Sequence, residues 1–418
     1  MAAVHGQVNG CGRRPILAAS QPIPKDFSRR MRVHMRLSVV GCLLLAAGLR
    51  GSPVMGQSAG GAPPSDEQAE SIAAESKSFF YKGLPGSDQY VGPIDVILNK
   101  GFNFSQVVNR ERRIFEAPFG TAHVRNSVLH PFRSIKQSGG WGTFFKEQIL
   151  PIQTINWITG GFEGLFIESA AWYPNYFGHL IEGGIGTRRL AEKFRAQGVP
   201  WASALAGTTT MTAAVINEMY THPELEQGTG STAADLYLFD LGGVLLFSLD
   251  PVARFFAETL HASVWPSQAS MSLPDLELTN NANNLVFKFP LPFVDAASLF
   301  FRTGVTAHIG ASIHLADGYD VSIGLGGSSS RQNIDPITSK ETVDVHMTSS
   351  VYLDRGGSVL ASLNLSLLDH RLVSMNVYPG VIHPTLGGWF VVRRDKAIEF
   401  GISHRNALGL GLGVGLGR

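Results

Sequence analysis

From Asn284 to the end of the chain, apolar and polar positions alternate with a period of two, the pattern of a strand with one face in each environment. Between Phe301 and Leu315 the odd positions carry Phe301, Val305, Ile309, Ile313 and Leu315, and the even ones Arg302, Thr306, His308, Ser312 and His314. Tyr319, Val321, Ile323 and Leu325 repeat the pattern after an Asp317-Gly318 hairpin signal. It recurs in Val343 to Leu353 and, beyond the turn Asp354 to Gly357, in Val359, Ala361, Leu363, Leu365 and Leu367. Segments 371–378, 386–394, 397–404 and 407–416 complete the set, the last with leucines and a valine on one face and glycines on the other. This gives about eight strands over 284–418, several nearer the length of outer-membrane strands, about 9–11 residues, than the usual five or six.

Upstream the period becomes helical. Residues 141–266 form an apolar helical block, with one segment from Pro174 through His179 to about Arg195. Pro200 opens the next, which runs to about Tyr220 and has no charged residue between Val199 and Asn217. Such a helix crosses a bilayer or is buried on every side. Ser231 or Thr232 caps a helix through Leu249, and Pro251 starts an amphipathic one ending near Trp265. Residues 57–78 read as a flexible leader, and 79–140 as a mixed region able to supply N-terminal strands. The fold class predicted is α+β: an antiparallel outer-membrane-type β-barrel with a helical insertion. Eight strands leave no room for helices inside. The preferred expectation is that 79–135 adds strands to a larger barrel enclosing the block; otherwise the block packs outside.

Composition fits a surface partly shown to lipid: of 418 residues 44% are hydrophobic and 16% charged. A net charge of +1 argues against a nucleic-acid partner. Residues 1–56 read as an N-terminal extension ending in a signal peptide, with Met31 or Met35 as the biological start. Arg30, Arg32 and Arg36 precede the apolar run Leu37 to Leu49, and small residues lead to a cleavage site near Gly56-Gln57. Cys11 and Cys42 both precede that site, so the mature chain has no disulfide or thiolate chemistry. The expected location is the bacterial outer membrane, with its lipid as partner.

A few ionisable residues interrupt the apolar helices. His179 and Glu182 are three apart, on one face of an α-helix. Glu218 ends the uncharged helix, and Asp235 and Asp240 stand in an otherwise apolar segment. Buried carboxylates need partners. Three readings stay open: a network locking three helices, with His179 bridging Glu218 and Asp235; a metal site of His179, Glu182, Glu218 and Asp235; or acid–base catalysis. In the last, His179 is the base, Glu218 or Asp235 orients it, and Ser231, Thr232 or water attacks. No cofactor-binding motif is present; Gly183 to Gly186 falls within a helix and reads as close helix packing. His308, His314 and His346 read as scattered polarity on one strand face, and Arg188, Arg189, Lys193 and Arg195 as a solvated helix end or a lipid-headgroup contact.

Tyr176-Phe177-Gly178-His179, Asn217-Glu218 and Ser231-Thr232-Ala233-Ala234-Asp235, followed by Gly242-Gly243, resemble an uncharacterised domain of bacterial envelope proteins. They are more distantly similar to VanZ-like membrane proteins, which space a His, a Glu and an Asp along helices. The resemblance covers 176–246 and implies an envelope protein without naming a chemistry. The function expected is therefore a non-enzymatic outer-membrane barrel with a structural or transport role. The alternatives are a membrane-embedded lipid hydrolase or acyltransferase using His179, Glu218 and Asp235, and a periplasmic protein binding an apolar ligand.

Overall fold

The structure, a computed structural model, describes residues 78–107, 110–150, 174–334, 341–366, 371–405 and 410–416. The expected signal peptide and, apart from Ser78, the leader lie outside the described residues. Ten strands run from Asn284 onward: β4 (Asn284–Leu291), β5 (Val294–Gly304), β6 (Thr306–His314), β7 (Tyr319–Ile334), β8 (Glu341–Arg355), β9 (Ser358–Ser366), β10 (Arg371–Val377), β11 (Leu386–Arg393), β12 (Ile398–His404) and β13 (Gly411–Leu416). Three short ones precede them: β1 (Ser263–Val264), β2 (Ser270–Leu273) and β3 (Glu277–Thr279). All belong to one 13-stranded, mostly antiparallel sheet in the order β1-β4-β5-β6-β7-β8-β9-β10-β11-β12-β13-β2-β3. The β13–β2 pair is parallel.

The alternation read from 301–315 as one strand conceals a turn between β5 and β6. Arg302 pairs with His308 and Phe301 with Ile309, each odd residue facing an odd one. A hairpin of that register keeps the apolar residues on one face through the turn, so the pattern in the sequence never breaks.

Cross-strand pairing sorts the side chains into two sets. One row runs Phe287, Phe301, Ile309, Leu325, Ser349, Leu365, Val373, Val392, Ile398 and Leu416 from β4 to β13. The adjacent row, on the other face, runs Lys288, Phe300, Gly310, Gly324, Ser350, Asn364, Ser374, Val391, Glu399 and Gly415. The apolar face is open over much of β6, β12 and β13, with Ile309 59% and Leu412 60% exposed, but buried at Phe287, Val351, Leu353 and Leu365; on the polar face His308 and Ser350 are 1% exposed. The polar face carries continuous bonding: His308 reaches Tyr352 Oη at 3.1 Å and Thr348 Oγ1 at 2.7 Å, and Lys288 bridges Asp320 and Asp354. His314 instead bonds Ser298 and Asp320, so the strand histidines do not converge.

Ahead of the sheet the chain is helical. Residues 79–140 hold short helices and loops and no strand among the described residues, contrary to the expectation of N-terminal strands there. Their glycines and prolines punctuate them too often for alternation to develop. The helices used below are α1 (Pro93–Val96), continuing as Ile97–Gly101; α2 (Gly183–Ala196), preceded by Pro174–Glu182; α3 (Ala202–Thr221); α4 (Gly230–Ala233), continuing as Ala234–Asp240; and α5 (Leu241–Phe247). Thr229 caps α4 by accepting from the Thr232 N–H. Among the described residues no single helix is long and apolar enough to cross a membrane; one pair, Gly230–Phe247 with Asp250–Thr259, passes by length and composition but is bent by 89°.

This block packs on the apolar face of the first strands. Ile185, Phe247 and Phe177 meet Leu285, Phe287 and Phe301, and Leu98, Phe102 and Tyr220 meet Met271 and Leu278. The preferred expectation of enclosed helices fails, because the face they cover is the apolar one. The basic run of α2 is no solvated end: Arg188, Arg189 and Lys193 are buried. Arg189 binds Asp88 at 2.7 Å, Ser87 Oγ and the Val264 carbonyl, and Arg188 binds Glu192 at 2.8 Å and Asp250 at 2.7 Å. Apart from Glu192, one turn from Arg188, these partners lie far along the chain, where no local pattern points to them.

Close approach of α2 and α5 rests on glycine. A Cβ added to Gly243 would lie 2.5 Å from the Leu180 carbonyl oxygen, and one on Gly184 2.3 Å from the Phe247 ring. Gly243→Ala is expected to cost about 1–3 kcal/mol, read from the denaturation midpoint, because backbone must move to admit the methyl.

Candidate functional site

The polar residues of the helical block gather in one place, and their spacing depends on how the helices are wound. Ile97–Gly101, Pro174–Glu182 and Ala234–Asp240 are π-helical, a wider winding frequent at functional sites. They supply Lys100, His179 with Glu182, and Asp235 with Asp240; Glu218 comes from α3. In Ala234–Asp240 the winding joins residues five apart, as in the Leu241 N–H to Leu236 carbonyl bond. Asp235 and Asp240 therefore share a side that α-helical winding would have split. The same widening turns Glu182 away from the face of His179.

One ligand atom from each of His179, Glu218 and Asp235 lies within 4.8 Å of the others. The three residues named as catalytic from sequence are thus brought together. Glu182 is buried nearby but is not one of the converging three, which corrects its inclusion in the metal set. Nor does His179 lean on Glu218 or Asp235: its Nδ1 meets Asp240 Oδ2 at 3.0 Å, and Lys100 Nζ meets Asp240 Oδ1 at 2.8 Å. Asp240 is the orienting carboxylate, itself neutralised by a lysine. Glu218 accepts from Thr232 Oγ1 at 2.8 Å, so that hydroxyl is occupied and poorly placed as a nucleophile. Ser231 Oγ stands 3.5 Å from Asp235 Oδ2, and Asp235 Oδ1, buried, makes no hydrogen bond among the described residues.

Lys100 escaped the sequence reading because it lies in the mixed region. Its signal was there all the same: a lone cation within Val96-Ile97-Leu98-Asn99-Lys100, otherwise without charge.

Burial and charge act against each other here. Burial works to raise the Asp240 carboxyl, but Lys100 and His179 outweigh it and hold it down at about 2. Burial works to lower His179, yet Asp240 and Asp235 carry it up to about 9. For Asp235 burial wins over the His179 cation and raises it to about 8, and burial likewise raises Glu182 to about 7.

The signs set an expected pH dependence. His179, raised above its unfolded value, contributes stability that is complete below its ordinary pKa of 6.5 and lost as pH rises through about 9. Asp235 and Glu182, also raised, lose favour from about pH 4 upward. The helical block is therefore expected to lose roughly 1–3 kcal/mol between pH 6 and pH 9, read from denaturation followed by the helical circular-dichroism signal. His179→Gln should flatten the upper part of that profile; an unchanged slope would contradict the protonated His179–Asp240 pair.

Comparison of the chain with protein-family models, with curated proteins and with solved structures gives no match.

Proposed function

We propose that the sheet closes into a barrel set in the bacterial outer membrane, a membrane anchor carrying the helical block against its outer wall. The register of the short strands supports closure. Ser263 pairs with Val286 and Ser270 with Thr279, so seven residues forward on one side match seven residues back on the other. Between them the Trp265 N–H donates to the Asn284 carbonyl and the Ser267 N–H to the Ala282 carbonyl, in the same register. β1 with β2 then count as one strand and β3 with β4 as a second, and β2 also pairs with β13. With β5 to β13 the ring would have eleven strands among the described residues. An odd number of alternately directed strands must close on one parallel pair, and β13–β2 is that pair. Bacterial barrels are usually even-numbered, so the odd count sets this one apart.

The observation that carries the reading is the inversion of the two faces: the large exposed hydrophobics of the sheet, such as Ile309, Leu325, Ile402 and Leu412, lie on the apolar face, while the polar face is buried. A lipocalin-like carrier of an apolar ligand would have them the other way round. Bilayer strands need apolar side chains outward and polar ones inward. The lumen is no open pore. Tyr90, Trp265, Phe300 and Tyr352 fill much of it, and the polar cavity lined by Asn284, Arg302, Thr348, Asn364 and Asn376 holds about 100 Å³. That is room for a few waters. An anchor fits better than a diffusion channel.

Cell fractionation followed by gel electrophoresis with and without heating tests the reading. Recovery in the outer-membrane fraction with heat-modifiable mobility is expected, together with no conductance in planar bilayers. Recovery wholly in the soluble periplasm would overturn it.

A further inference from the structure

We propose that His179, Glu218 and Asp235 hold one divalent transition-metal cation between the π-helical segments and α3. The reading goes beyond the barrel and does not depend on it. The three donors already lie within 4.8 Å of one another. Around an ion about 2.1 Å from each ligand they would stand ~3.4 Å apart, so side chains need close in only by about 1 Å.

An independent observation points to a missing cation. Asp235 is 7% exposed, its Oδ1 has no hydrogen-bond partner among the described residues, and a serine hydroxyl at 3.5 Å is a weak partner for Oδ2. A buried carboxylate oxygen is expensive to leave in that state. The surroundings are also those that orient metal ligands. The Asp240 carboxylate takes the His179 Nδ1 position, which leaves Nε2 as the nitrogen for an ion. Lys100 fixes Asp240 from its other oxygen, and Thr232 fixes one oxygen of Glu218. Since Lys100 neutralises Asp240, the carboxylates of Glu218 and Asp235 would supply two negative charges for a doubly charged ion, Asp235 giving up its proton as the ion binds.

One imidazole and two carboxylates suit zinc, manganese or ferrous iron. Calcium and magnesium prefer all-oxygen shells. Three protein ligands leave a position for water, the arrangement of an open site.

The test is equilibrium dialysis of the metal-stripped full chain in detergent against zinc and, separately, manganese, with bound metal counted by mass spectrometry. One ion per wild-type chain is expected, retained in excess magnesium. Asp235→Asn, close in shape and with no strong hydrogen bond to lose, should weaken binding by more than about 100-fold, and Asp240→Asn by about 10–100-fold. Folding of each variant is checked by circular dichroism, and Asp235→Asn carries the test if His179→Gln does not fold. No ion on the wild type, or an ion held equally by wild type and Asp235→Asn, would overturn the proposal.

Discussion

Glu192→Ala is expected to destabilise the protein by about 3–5 kcal/mol, the range for removing one partner of a buried ion pair. Glu192 is buried on α2, and its carboxylate accepts the backbone N–H groups of Phe79, Phe80 and Tyr81, the Ser78 hydroxyl and Arg188 Nε. Removing it orphans several donors at once and leaves Arg188 with Asp250 and a carbonyl. Each buried donor left without a partner costs roughly 1–3 kcal/mol, so the range is not generous. Glu192→Gln keeps the shape and one acceptor oxygen and should cost about half as much. Chemical denaturation reads both. A loss below about 1 kcal/mol for the alanine variant would mean that segment 78–81 is not held by this carboxylate.

The second large effect concerns the sheet. Ile309 stands near the middle of β6 on the open apolar face. If that face meets lipid, Ile309→Arg should cost about 2–4 kcal/mol in equilibrium refolding into vesicles, since a guanidinium is placed in hydrocarbon. On a water-facing strand the same change would be nearly neutral, within about 0.5 kcal/mol. The two outcomes are well separated.

Much of the strand pattern was legible because period-two alternation is local. It survives even the β5–β6 turn, which is why that turn was hidden in it. The helix start near Pro200 was legible for the same reason: proline and capping residues act where they stand. What stayed hidden is non-local. Arg189 looked solvated because Asp88 and Val264 are distant in sequence, and β1 to β3 are too short to show a period. At the site, His179, Glu218 and Asp235 stood out as charges among apolar neighbours. The role of Asp240, the displacement of Glu182 and the arrival of Lys100 all depend on π-helical winding, which residue spacing does not announce.

The barrel embedded in lipid is the central claim, and β6 offers its most direct test. Single cysteines at Ala307, Ile309, Ala311 and Ile313, and at His308 and Ser312, would carry a fluorescent label in the protein reconstituted in vesicles holding a lipid-bound quencher. Quenching is expected at the four odd positions and not at the even ones. Equal quenching at both sets, or none at either, would contradict a barrel whose apolar face meets the bilayer.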